Sequence, residues 1–290
     1  MGICQWLTLN IKKTNYMIIS SRKTKNIDMF KPRICNHPIE QASSARFLGV
    51  IIDDKLSWSK HITAIKAKMS RYIGLLYKLK CTLPLVARKT LFQSFVQSHV
   101  NYCSLVWGLT IKSNIENIFT SQKKALRAVI PGYVNYYYKD GITPQHTKPA
   151  FTEYNILTIQ NIIAKNVMLF MFKINNAPSL IPTSIRKLIP ENAPIAGDTH
   201  ETCSPWLEKY NTSNFSKSLF YKGPLLYTNI LSSARDKIIT KTANSFKRTI
   251  RKYIFELQCS GDKIEWQCSN FQIFNIAGLR QSTRIADTKK

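Results

Sequence analysis

Two hydrophobic rhythms meet near residue 57. Before it, apolar residues come in short runs, Tyr16-Met17-Ile18-Ile19 and Phe47-Leu48-Gly49-Val50-Ile51-Ile52, separated by polar and basic stretches. Short apolar, partly β-branched runs predict strands. Residues 30–40 carry Pro32 and Pro38, so a strand there is interrupted or lies at an edge. The strongest strand signal is Phe47 to Ile52. After residue 57 the spacing changes to three and four: Ile62, Ile65, Met69, Tyr72, Ile73, Leu76 and Leu79 form one stripe. That period predicts a helix over Ser59–Lys80, with Ser57 or Ser59 able to cap its start and Pro84 closing it or opening the next.

The helical pattern then continues. A second helix is predicted from Leu85 to Trp107, with Leu91, Phe92, Phe95, Val96, Val100, Cys103 and Val106 inward, and a third from Asn114 to Ile130, stopped by Pro131-Gly132. Residues 133–150 read as a loop rich in Tyr, Gly and Pro. Leu157 to Ile174 is apolar enough for a buried helix, and residues 175–215 read as a proline-rich linker. Phe220-Tyr221-Lys222-Gly223-Pro224 reads as an aromatic turn, and Thr242 to Leu257 as a last, basic amphipathic helix. The expected class is α+β: a small N-terminal β segment followed by a mainly α-helical bundle and a loop-rich extension. The expected divisions are 1–56, 57–132, 133–258 with a long linker about 175–240, and a tail at 259–290.

Charge changes the picture. The 290 residues hold 42 Lys+Arg against 16 Asp+Glu, a net charge of +26. A compact chain repels itself at such an imbalance, and a polyanion is the usual compensation. Lys60, Lys66, Lys68, Arg71 and Lys78 lie off the apolar stripe of the first helix and are the candidate phosphate contacts. Tyr133, Tyr136, Tyr137 and Tyr138 could stack on unpaired bases.

Other chemistry is poorly supported. Asp53-Asp54 after an apolar run could hold Mg²⁺, but a two-metal site needs a further carboxylate nearby and Asp28 stands alone. The plainer reading is that the pair shapes a strand-to-helix turn, where acids suit the helix dipole. His61 is expected to pack on the neighbouring tryptophan, and His99 to be a core histidine. The seven cysteines include no Cys-x-x-Cys pair, so they read as reduced thiols, several in the core, with no metal site. There is no glycine-rich phosphate loop or Gly-x-Ser-x-Gly elbow. No apolar run reaches the roughly 18 residues of a membrane span, and no signal peptide is evident, so an intracellular protein of cytoplasm or nucleus is expected.

Several motifs occur in a meaningful order. Leu9-Asn10-Ile11-Lys12-Lys13-Thr14-Asn15-Tyr16-Met17 is followed by Phe47-Leu48-Gly49-Val50-Ile51-Ile52-Asp53-Asp54-Lys55-Leu56-Ser57-Trp58-Ser59-Lys60-His61-Ile62. Then come Leu91-Phe92-Gln93-Ser94-Phe95-Val96, Asn101-Tyr102-Cys103-Ser104-Leu105-Val106-Trp107-Gly108 and Gln122-Lys123-Lys124-Ala125-Leu126-Arg127. Tyr221-Lys222-Gly223-Pro224 precedes Ser245-Phe246-Lys247. This series, over about residues 5–257, resembles LINE-type (non-LTR retrotransposon) reverse transcriptases of the jockey-like kind.

The resemblance implies the end of a palm, the hairpin that positions the primer, a helical thumb and a C-terminal extension. In that family the catalytic Ala-Asp-Asp turn lies upstream of the Leu-Asn…Lys-Thr segment, so the metal aspartates are expected to be missing from this chain. Lys13 matches a family lysine that is a candidate proton donor to pyrophosphate, but here it would have nothing to donate to. The expectation is an RNA or DNA template–primer partner, with no small-molecule substrate, no catalytic or metal-binding residue and no cofactor of its own, although the complete family enzyme would use Mg²⁺. The alternative is an element-derived helical protein-interaction scaffold.

Overall fold

The computed structural model describes residues 10, 13–20, 31–34, 36–130, 147–188, 218–234 and 242–260. The tyrosine-rich loop, most of the expected linker and nearly all of the tail lie outside them. Mainly helical, with a small β segment at the N-terminal end, the chain is of the α+β class. Described residues up to Ile130 fall in one compact unit and those from Thr147 onward in another.

Among its described residues the first unit opens with three strand pairs. β1 (Asn15–Tyr16) runs parallel to β4 (Glu40–Gln41), and β2 (Arg33–Ile34) pairs antiparallel with β3 (His37–Pro38). The strand expected over Tyr16–Ile19 is therefore only two residues long, because its partner offers only Glu40 and Gln41 before Ala42 N–H closes onto the Tyr16 carbonyl. Phe47–Ile52 is not one strand. β5 (Ser44–Phe47) and β6 (Val50–Asp53) make an antiparallel hairpin, with Phe47 opposite Val50 and Ser44 opposite Asp53. The reversal is Leu48-Gly49, both left-handed at φ 45° and 83°. A two-residue hairpin turn of this hand matches strand twist, and the glycine is the residue that makes it accessible.

Helix α1 (Ser59–Lys78) buries Ile62, Ile65, Met69, Ile73 and Leu76 as the stripe requires, and packs on α5 (Lys112–Val129) through Ile115, Ile118, Ala125, Leu126 and Val129. The helix expected from Leu85 to Trp107 is interrupted. It is built from α2 (Leu85–Phe92), a π-wound segment Gln93–Gln97, α3 (Ser98–Asn101) and α4 (Ser104–Trp107). Tyr102 turns extended and Cys103 left-handed. The fully buried Trp107 explains the break: its indole N–H donates to the Tyr102 carbonyl at 2.8 Å, and Val106 N–H bonds Cys103 instead. Val106, expected inward, consequently faces solvent. Among the described residues Cys81, Cys103 and Cys259 are free thiols, as expected; none of the three is in the core, Cys81 and Cys259 being exposed and Cys103 half-buried.

The second unit centres on α7 (Ile159–Asn176), preceded by α6 (Lys148–Glu153). The Thr158 hydroxyl caps it by accepting from Asn161 N–H. A single 3₁₀ turn (Pro178–Leu180) and α8 (Thr183–Arg186) follow, in part of the expected linker. The aromatic turn expected at Phe220–Pro224 is instead the start of α9 (Leu219–Ala234). Pro224 is the sixth residue of this helix and lies inside it, so the bond to the Phe220 carbonyl is forgone there. Gly223 lets α9 approach α7, since a Cβ there would meet Met171 Sδ at 3.0 Å.

α10 (Ala243–Ser260) lies antiparallel on α7. Phe246 stacks on Phe172 at 4.0 Å. At the other end Gln258 accepts from Thr158 N–H and Asn161 Nδ2 and donates to the Ile156 carbonyl. Gln258→Leu removes this buried clamp and leaves three polar groups unpaired. It is expected to destabilise the protein by about 1–3 kcal/mol, read as a lower urea midpoint; an unchanged midpoint would show that the clamp carries no stability.

Candidate nucleic-acid interface

The site is built outward from Asp53, the last residue of β6. Its two carboxylate oxygens accept the backbone N–H groups of Ser57 and Trp58, each at 2.9 Å. The Ser57 carbonyl in turn receives Asn114 Nδ2 at 3.0 Å and Thr110 Oγ1 at 3.3 Å, which ties the junction to the start of α5. Asp53 is 4% exposed. Burial pushes its pKa up, but the hydrogen bonds from Ser57 and Trp58 outweigh burial and hold it below the ordinary aspartate value. Both oxygens are thus used in closing the turn into α1. Among the described residues no group of three His, Cys, Asp or Glu is placed to hold a metal ion.

His61 also serves the junction. Its Nδ1 accepts Ile51 N–H at 3.3 Å, a role that needs that nitrogen unprotonated, and burial together with Lys68 lowers its pKa. It was expected against the neighbouring Trp58, yet its ring meets the edge of Trp107, with centroids 5.9 Å apart. The π-wound segment and α3 bring distant aromatics together. Tyr72 stacks with Phe95 at 4.7 Å and with His99 at 5.5 Å. His99 is half-buried, not enclosed in the core as expected; burial, Lys68 and Arg71 lower its pKa.

The five candidate cations divide in three. Lys60, Arg71 and Lys78 are exposed and, at 100° per residue, lie within about 20° of one another, away from the core stripe. They form a row about 27 Å long, whose first member is steadied by Ser43 and Ser44 hydroxyls at 3.2 and 3.1 Å. Lys68 is half-buried beside Arg71 and His99. Lys66 departs to the other flank, where its Nζ reaches Asn117 Oδ1 at 3.4 Å. None of the five makes an ion pair among the described residues, where the pair found is Lys112–Glu116 at 3.8 Å.

A second feature escaped the sequence reading. At the hairpin tip Phe47 is 65% and Leu48 74% exposed. Tyr102, 51% exposed, donates its hydroxyl to the Leu48 carbonyl. The available signal was Gly49: a glycine inside an apolar run marks a reversal as readily as a strand. The candidate tyrosines 133 and 136–138 lie outside the described residues.

The row starts at the open end of the hairpin, where Lys60 meets Ser43 and Ser44, and the apolar tip lies at the hairpin's other end. One stretch of 95 residues, 32% of this chain, is 30% identical to a probable RNA-directed DNA polymerase from transposon X-element of Drosophila melanogaster, covering 10% of it. Another of 155 residues, 52% of the chain, is 24% identical to a probable RNA-directed DNA polymerase from transposon BS of the same organism, covering 16% of it. The chain is similar to transposon RNA-directed DNA polymerases. The matched stretches span under a fifth of these relatives' length. No family model matches, and no solved structure does. Among the described residues no helix is long and apolar enough to cross a membrane.

The junction makes a direct prediction. Asp53→Ala is expected to cost about 1–2 kcal/mol, the range of a lost helix cap, read by thermal unfolding. Because the folded pKa is depressed, the carboxylate's contribution is complete above the free-aspartate pKa of about 3.9. It is lost as pH falls through the folded value. The gap between wild type and Asp53→Ala should therefore narrow on acidification; a gap independent of pH would refute the cap.

Proposed function

We propose that this chain supplies the primer-positioning hairpin, thumb-like helices and C-terminal extension of a jockey-like, non-LTR retrotransposon reverse transcriptase. In this reading it binds template–primer through phosphates and does not polymerise alone. The observation that carries it is the uncompensated row Lys60, Arg71 and Lys78 on a helix that the Asp53 turn fixes against the hairpin. Such a row can follow a phosphate backbone, while Phe47, Leu48 and Tyr102 offer apolar and ring surface to sugar or base. Lys68 and Lys66 then extend the row to either flank. The similarity to transposon polymerases supports the same assignment; in this reading the protein works in cytoplasm or nucleus.

Polymerisation alone is not expected, because Asp53 is buried and both of its oxygens are engaged in holding the turn. A nucleotide-incorporation assay with Mg²⁺ should give no product from the purified chain. Product that disappears in Asp53→Asn would overturn this part of the reading.

Binding should weaken linearly in log K against log salt, with a slope of about 0.9 per phosphate contact on a duplex. The variant Lys60→Gln/Arg71→Gln/Lys78→Gln should flatten that slope by about 2–3 without lowering the melting temperature, since all three are exposed. Fluorescence anisotropy with a labelled RNA–DNA duplex measures both. A slope unchanged by the triple variant removes α1 from the interface. The alternative, an element-derived protein-interaction scaffold, draws on the exposed tip at Phe47 and Leu48. It would show as partners retained after nuclease treatment and as salt-insensitive association.

A further inference from the structure

We infer that the second unit carries its own phosphate-binding site, formed where Lys165 of α7 meets Lys247 and Arg251 of α10. It rests on the nucleic-acid reading above and adds to it a contact outside α1. The antiparallel packing sets the level: Phe172 opposes Phe246 and Asn161 opposes Gln258, so Lys165 falls beside the turn that begins at Arg251. On α10, Lys247 and Arg251 are four residues apart and share a face. Their face borders the buried stripe of Phe246, Ile250 and Ile254, whereas Arg248 and Lys252 turn further from it.

Each of the three cations is placed differently. Arg251 is held at one end of its guanidinium: Nη2 bonds both the Asn155 carbonyl and Asn155 Oδ1 at 3.2 Å. Lys247 is exposed. Among the described residues Lys165 is half-buried and makes no hydrogen bond or ion pair, and the charges that act on it there are Lys247 and Arg251, both positive. Burial first, and these two cations next, push its pKa down. A fold that needed only packing here would gain by an uncharged side chain, because a half-buried ammonium without a partner is costly. A phosphodiester oxygen pair set against the three groups supplies the missing anion. It would accept from the Lys165 and Lys247 ammonium groups and from the Arg251 N–H groups that Asn155 leaves free. The ligand class is the nucleic-acid backbone, read without regard to base.

Acetylation footprinting of the full chain, with and without a saturating RNA–DNA duplex, tests this residue by residue. Lys165 and Lys247 should be modified several-fold more slowly with the duplex present. The variant Lys165→Met/Lys247→Gln should flatten the salt slope by about 1.8, two contacts at about 0.9 each, while its melting temperature stays level or rises. A purely structural Lys165 would move the melting temperature alone. If Lys60 and Lys78 are protected but Lys165 and Lys247 are not, and the double variant keeps its slope, this site is refuted while the α1 interface stands. If none of the four is protected, the nucleic-acid reading itself fails and this site with it.

Discussion

One carboxylate organises the first unit. Asp53 ends a strand, receives the N–H groups of Ser57 and Trp58, and so turns the chain from hairpin into α1 within a few residues. The left-handed Leu56 and Trp58 in that turn are conformations L-residues adopt at a cost, and the two hydrogen bonds hold them. Everything distal inherits this direction. The Ser57 carbonyl fixes the N-terminus of α5, His61 reaches back to the Ile51 N–H, and the cations of α1 take their stations relative to the hairpin tip. A pair of aspartates that could pass for a metal site is, at Asp53, a structural clasp.

Charge gives the opposite impression of economy. Among the described residues the basic side chains find amide, hydroxyl and aromatic neighbours far more than carboxylates. Lys60 leans on two serines, Lys66 on Asn117, Arg251 on Asn155, and Lys123 lies 4.7 Å over the Phe119 ring. Neutral acceptors orient a cation without cancelling it. The field therefore stays available to an outside anion, which is the physical content of a net charge of +26.

The legible parts of the fold were those governed by period. α1, α5, α7 and α10 fell within a few residues of their apolar stripes, because a repeat of three and four leaves one face to bury. The illegible parts were decided by single contacts that no period announces. Nothing local in Leu85–Trp107 announces that Trp107 will take the Tyr102 carbonyl and break the helix. Nothing local in Phe220–Pro224 shows that Gly223 will seat against Met171 and continue as helix. The interface was half legible for the same reason. Lysines on a helix can be placed by counting, whereas the Tyr72–Phe95–His99 stack and the Lys165 cluster each depend on which helix lies opposite.

The π-wound segment has a geometric consequence. Phe92, Val96 and Val100 are buried at a uniform spacing of four. In an α-helix that spacing overshoots a full turn by about 40° each time, so such a row drifts around the cylinder. A winding that fits more residues into each turn undershoots instead. Placed at Gln93–Gln97, between the first and last of these side chains, it cancels the drift and straightens the row. The segment thus keeps one ridge pointed at its neighbours, as a coiled coil does by twisting around a partner, but within a single helix.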